Sequence, residues 1–239
     1  MAGLNDLLNE GDSLKTPGLG AALGGSSNKD LMADARMVLS GNWGMAVLGY
    51  VLYFILVMSF SLFLFSSVLF VSIVGAASGT NPAVATSTMQ FFAQIVELLV
   101  SGAFTVGFMG FFLGIAQDSE ARLELLFVGF RRFWKSFGTY FFYGLFISLW
   151  MLLFIIPGII AAFRYAMAFF IIADDEDCGA LEAISRSKEM MKGNKWKLFC
   201  LHWRFLGWAL LCMFTFGIGY LWLIPYMQTS FAKFYEDVK

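Results

Sequence analysis

The sequence predicts an all-α, polytopic membrane protein: six transmembrane helices as three helical hairpins, joined by amphipathic cytoplasmic surface helices. Three observations carry this. The 239 residues are 59% hydrophobic and only 14% charged, whereas an ordinary soluble domain is about 25% charged. Mean hydropathy is +0.73. The apolar residues form long blocks, and of the 16 lysines and arginines only Arg164 and Arg204 fall well inside them, Lys197 and Lys233 lying at the ends of the last. The others collect in the tail, the polar connectors and the C-terminus. Basic loops stay cytoplasmic, so both termini are expected inside.

Residues 1–28 read as a glycine-rich tail before a six-helix domain at 29–239. Leu4, Leu7 and Leu8 share one helical turn by spacing and offer a contact to a protein partner. No cleavable signal peptide is expected, because the first apolar run begins only near Trp43 and far exceeds a signal h-region. The stretch NKDLMADARMVLSGNW predicts a short amphipathic helix, capped by Asn28 and ended by Gly41.

The first hairpin spans about 44–116. Its apolar runs, Gly44–Gly75 and Met89–Ala116, both exceed the ~20 residues one crossing needs, so both helices tilt or project. A surface helix is expected next, with Leu123, Leu126, Phe127, Phe130 and Trp134 on one stripe and Glu120, Glu124, Arg131 and Arg132 mostly off it. The block Gly138–Ala173 would measure ~54 Å as one helix, nearly twice the hydrocarbon thickness. The second hairpin, 138–174, is therefore expected to turn at Pro157-Gly158. Connector Asp174–Lys195 carries Glu182 and Arg186 at i,i+4. The third hairpin, 196–236, is expected to turn at Phe216-Gly217-Ile218-Gly219, with Gly217 and Gly219 as the turning residues.

Trp43, Trp134 and Trp196 each stand where the chain re-enters an apolar block. This predicts an internal repeat of surface helix plus hairpin in parallel orientation, although aromatic belts alone make hairpins look alike. Small residues mark close helix contacts: Ala103, Gly107, Gly110 and Gly114 on one face, and Gly158, Ala162 and Ala166 on another.

The chemistry is sparse. His202 is the only histidine, and a zinc site needs three or four converging ligands. Cys200 and Cys212 in one helix would lie ~18 Å apart, too far for a disulfide. No hydrolase constellation, phosphate loop or nucleotide fingerprint appears. No catalytic residue, metal, cofactor or nucleic-acid partner is expected. Asp174-Asp175-Glu176-Asp177 reads as a solvated acid run at a helix start, with weak divalent-cation binding as the alternative.

Glu97 and Arg164 are ionisable groups within apolar blocks, which makes them candidates by default. They are expected to pair, either to fix two helices together or to line a polar path. Arg204 is expected to snorkel to the headgroups. Arg131, Arg132, Lys192, Lys195 and Lys197 are candidate contacts to anionic lipid.

An ordered series of motifs runs from about Asp30 to the C-terminus: Gly41-Asn42-Trp43-Gly44; Leu149-Trp150-Met151-Leu152-Leu153 into Ile156-Pro157-Gly158-Ile159-Ile160; Ala183-Ile184-Ser185-Arg186-Ser187 through Met191-Lys192-Gly193-Asn194-Lys195-Trp196; Gly207-Trp208-Ala209-Leu210-Leu211; Gly217-Ile218-Gly219; and Pro225-Tyr226. The series resembles the bacterial integral-membrane family catalogued as domain of unknown function 975. The resemblance implies a multi-pass membrane protein and carries over no activity or site residue. The expected role is that of a non-enzymatic accessory or scaffold subunit of a bacterial cytoplasmic-membrane assembly. Its partners would be the lipid bilayer, a protein at the N-terminal tail, or a second copy of the chain. The alternative is a transporter or channel for a small solute or lipid, with a polar site near Glu97 and Arg164.

Overall fold

The computed structural model describes residues 26–78, 82–117 and 122–239, and among these all regular structure is helical. Helix α1 (Asn28–Ala77) is followed by α2 (Pro82–Ala116). A 3-10 turn (Leu123–Phe127) and a single turn, α3 (Val128–Arg131), lead into α4 (Phe133–Leu153). Then come α5 (Ile155–Tyr165), α6 (Ala168–Asp174), α7 (Ala180–Met190), α8 (Lys195–Phe214) and α9 (Tyr220–Val238). Five stretches of the described residues are long and apolar enough to cross a membrane: α1, α2, α4, α5 with α6, and α8.

The start of α1 is set by a reciprocal cap. The Asp30 N–H donates to the Ser27 hydroxyl at 3.3 Å, and the Ser27 N–H donates to the Asp30 carboxylate at 3.2 Å. Ser27, not Asn28, is the cap; the Asn28 side-chain amide instead donates to the Lys197 carbonyl at 2.9 Å. Nor does Gly41 end this helix, which runs unbroken for 50 residues. A glycine in a helix interior costs only about 1 kcal/mol, and no proline is present to interrupt the ladder.

Between α4 and α5 the chain turns three residues before the expected place. Phe154 is extended (φ −159°, ψ 144°) and separates α4 from α5. Pro157 sits in the first turn of α5, where a missing N–H leaves no bond unmade. Gly158 is buried at the crossing, where an added Cβ would lie 2.3 Å from Met151 Cγ. Proline and glycine thus start and seat α5 and do not form its turn. Between α8 and α9 the turn lies where the glycines are. Phe216 (φ 51°) and Gly217 (φ 84°) take left-handed conformations, and the Gly217 N–H donates to the Cys212 carbonyl at 3.1 Å. At Gly219 a Cβ would approach Cys212 Sγ to 2.6 Å.

The surface helix expected over 119–137 is, from residue 122 on, instead broken into the 3-10 turn and α3, which lie along α2, and the start of α4. Contact is backbone to backbone: a Cβ on Gly107 would meet the Leu126 carbonyl oxygen at 1.9 Å, and one on Gly129 would meet that of Ala103 at 1.9 Å. The small face of α2 therefore seats this connector, which buries Leu126 while Phe127, Phe130 and Trp134 stay exposed.

The two ends of the domain meet. The Ser26 N–H donates to Asp237 at 2.9 Å, and Lys197 pairs with the same carboxylate. Taking this end as the inner one, the core lies in the inner half. One cluster centres on Phe170, Leu198, Leu201, Phe205 and Phe234, and a second on Leu39, Phe108, Phe111, Phe112 and Ile115. Away from that end the helices extend unequally. From Tyr50 to Ser101 no described residue is buried, so α1 extends ~40 Å past its last buried residue. By the same rise, α4 extends ~21 Å past Thr139 and α8 ~14 Å past Phe205.

Candidate functional site

The inner ends of the helices converge on the acidic turn that follows α6. The last carbonyls of a helix lack intrahelical partners and attract cations. Arg132, carried back along α2 by α3, supplies one. Its guanidinium donates to the Ile172 and Ala173 carbonyls at 2.6 and 3.1 Å and pairs with Glu176 at 2.5 Å. Lys135 donates to the Glu176 carbonyl. Asp175 accepts from the Asp177 and Cys178 N–H groups at 2.9 and 3.3 Å, an Asx-type turn. It also pairs with Arg186 at 2.7 Å, and Arg186 holds Glu182 at 2.7 Å in the i,i+4 geometry its spacing predicts. The Arg186 hydrogen bond and the two backbone donors keep the Asp175 carboxyl below the usual carboxylate range. Arg132 does the same for Glu176.

Asp174 gathers the remaining elements. It accepts from the Tyr235 hydroxyl at 2.8 Å, pairs with Lys239 at 2.5 Å, and takes a bond from the Gln117 amide at 3.4 Å. The ends of α2, α6 and α9 are thereby tied at one side chain. Beside this knot lies an open groove of about 900 Å³, lined by Asp174 to Asp177, Arg186, Glu189 and Lys239 among others. Most of the acidic oxygens facing it already hold hydrogen bonds or cations. No three His, Cys, Asp or Glu among the described residues converge as metal ligands. His202 is placed elsewhere, its ring nitrogen bonded to the Leu198 carbonyl at 3.0 Å and its ring stacked on Phe231 at 4.4 Å. Chemically, the arrangement ties helices together.

A second polar join repairs the break between α5 and α6. Ser187 of α7 is fully buried. Its hydroxyl donates to the Arg164 carbonyl and accepts from the Met167 N–H, both at 3.1 Å. One side chain thus replaces the bonds missing where the helix is interrupted at Ala166-Met167.

The expected Glu97–Arg164 pair is absent: among the described residues no ion pair joins them. Arg164 is near the inner end of α5, on the side of Glu189 of α7, whose carboxyl is lowered chiefly by its hydrogen bond from Lys192 and least by Arg164. Glu97 lies ~28 Å by helical rise from the inner end of α2. The early turn at Phe154 accounts for part of the mismatch, since it shifts α5 relative to α2. Glu97 is exposed and lines a groove of about 180 Å³ with Tyr53, Ser61, Ser101, Thr105 and Tyr140.

Two of the expected lipid contacts are also reassigned. Arg132 is 13% exposed and spent on α6, and Lys197 is held by Asp237. Lys192 is exposed with Glu189 at 2.5 Å, Arg131 is exposed, and Lys195 is half-buried. Arg204 is exposed, and a guanidinium nitrogen donates to Met32 Sδ at 3.6 Å. The proposed leucine contact at Leu4, Leu7 and Leu8 lies outside the described residues.

Long apolar helices tied at one polar end define a helical membrane protein. The chain belongs to the family described as protein of unknown function (DUF975), whose sequence profile matches residues 26–161 and 151–239. No curated protein and no solved structure matches it.

Proposed function

We propose that this is a non-enzymatic subunit of a bacterial cytoplasmic-membrane assembly and that it acts by association through the outer arm of α1 and α2. The observation that carries the reading is the long stretch from Tyr50 to Ser101, in which no described residue is buried. Its reach of ~40 Å exceeds the ~30 Å hydrocarbon core, whereas the other two hairpins fall short of that thickness beyond their last buried residues. An arm with that reach, bearing one carboxylate at Glu97, suits packing against another membrane helix that supplies a polar or basic partner. A photo-crosslinker at Leu62 or Glu97 should give a discrete adduct in native membranes, of doubled mass if the partner is a second copy. The same group at Leu211 should give none. A monomer free of adducts at all three positions counts against association.

Six crossings with both ends inside complete this reading. The bond between Ser26 and Asp237 favours an even number, because it holds the two ends together. Helix α9 is the sixth crossing, as the return leg of α8. Its inner half carries Lys233, Glu236 and Asp237, which keeps it below the apolarity of the other five.

A second reading is a small-solute or lipid transporter with its polar site at Glu97. The groove of Glu97, Ser61, Ser101, Thr105 and two tyrosines favours it. Arg164 has no part in that site. Loss of uptake in Glu97→Gln, with assembly intact, would select this reading over the first.

A further inference from the structure

Two arginines from different helices meet on one methionine. On α1, Arg36 Nε donates to the Met32 carbonyl at 3.3 Å. On α8, Arg204 donates to the sulfur of the same residue at 3.6 Å. Neither arginine has an ion pair among the described residues. The acids nearest Arg36 in sequence, Asp30 and Asp34, are about 120° and 160° from it around the helix, at 100° per residue. Helix α9 presents Tyr226 here. Its hydroxyl donates to the Met32 carbonyl at 3.2 Å, and the Arg36 guanidinium lies 5.9 Å from its ring centre. The nearest cation further along α9, Lys233, is directed to Glu236. Two guanidinium groups therefore flank one residue, Met32, and no acid among the described residues pairs with either.

The same place opens into a crevice of about 370 Å³ between α1, α8 and α9. Arg36 and Met32 line its inner end. Outward from them its walls are Trp43, Trp208, Cys212, Trp222 and Leu223. Helical spacing puts these walls in line with the charges. Trp208 and Cys212 follow Arg204 by one and two turns, Trp43 follows Arg36 by two, and Trp222 precedes Tyr226 by one. Arg36 is ~12 Å from the start of α1 and Arg204 ~14 Å from the start of α8, so the two stand at one level. Arg36 lines the crevice itself and Arg204 stands behind its wall residue Met32; a cationic end leading outward into an indole-lined slot matches a phosphate ester carrying an acyl chain. It does not match a free ion, which needs no slot.

We propose that this crevice holds one anionic phospholipid of the inner-end leaflet. Its phosphate lies between Arg36 and Arg204, and an acyl chain runs along Trp208, Trp222 and Leu223. Guanidinium groups suit this role because their planar donors match phosphate oxygens in pairs. The site goes beyond the association reading and requires only that the protein be embedded in a bilayer.

The test is lipid counting by native mass spectrometry on the full chain in mild detergent, titrated with phosphatidylglycerol, phosphatidylcholine or inorganic phosphate. One phosphatidylglycerol should bind at least tenfold more tightly than phosphatidylcholine, and inorganic phosphate should not displace it. Arg36→Gln with Arg204→Gln should weaken it about thirtyfold, at roughly one basic residue's worth of attraction each. Arg131→Gln with Lys192→Gln should leave it unchanged. Should the double glutamine variant not fold, Trp208→Ala with Trp222→Ala removes the exposed walls instead and should also weaken binding. Equal binding of the two lipids, displacement by phosphate alone, or unchanged affinity in both crevice variants overturns the proposal. A partner-free preparation serves throughout, so failure here leaves the association reading standing, and the reverse also holds.

Discussion

The inner half of the molecule and the outer arm of α1 and α2 are both mostly apolar, yet they are built differently. The inner half is close-packed around Phe111, Phe112, Phe170 and Phe234 and cross-tied by Arg132, Ser187 and Asp174. The arm presents Leu62, Phe63, Phe65 and Phe70 on its surface and relies on its own two helices. In water such an arm would be untenable. In lipid its backbone groups are satisfied within each helix and its side chains meet acyl chains at no hydrophobic cost. Burial inside the protein therefore marks where helix position is specified, and apolarity marks only where lipid is tolerated.

That contrast can be broken by substitution. Phe112→Ala removes a fully buried ring and should lower stability by about 3–5 kcal/mol, whereas Phe63→Ala, at a site 68% exposed, should change it by under about 0.5 kcal/mol. Thermal unfolding of both in the same nanodiscs decides it, and equal losses would erase the distinction. Gly107→Ala pushes a methyl against the Leu126 backbone and should cost about 3 kcal/mol. Gly144→Ala on α4, with nothing within 4 Å, should be neutral or slightly stabilising.

Ser187→Ala sharpens the role of the polar joins. It leaves a buried N–H at Met167 and a carbonyl at Arg164 unpaired, a loss of about 1–3 kcal/mol. Hydrogen exchange should accelerate around 164–168 and stay unchanged in the arm. The smallest effect is the pH dependence of the inner turn. The carboxyls of Asp175 and Glu176 titrate below their usual range when folded. Their contribution is therefore complete above about pH 4–5, the unfolded carboxylate range, and is lost as pH falls through the depressed folded values. Asp175→Asn with Glu176→Gln should flatten the acid limb of a stability–pH curve, and an unchanged limb would show that the turn contributes nothing.

Much of the frame is legible in the sequence. Block lengths and the distribution of charge point to long apolar helices, and Gly217 is where a left-handed residue is needed. The small face of α2 reads correctly as a contact surface. The rest depends on long-range partners that local patterns do not encode. Gly41 looks like a helix end, but neighbouring apolar residues carry the helix through it. Pro157 looks like a turn, but the first turn of a helix tolerates proline just as well. Pairing Glu97 with Arg164 rests on depth alone, and depth cannot report the register between helices. Arg132 resembles a headgroup anchor until α3 carries it to the end of α6. Arg36 has no sequence mark at all, since its meaning comes from Arg204 on a distant helix.

The layout of three hairpins with every connector on one side is tested most directly by cysteine labelling. In a chain lacking Cys178, Cys200 and Cys212, single cysteines would replace Ser78, Ile155, Phe216 or Lys188. A membrane-impermeant maleimide added outside intact cells should label the first three positions and leave Lys188→Cys unlabelled until the cells are opened. Labelling of Lys188→Cys in intact cells, or protection of Phe216→Cys there, would contradict the six-crossing layout.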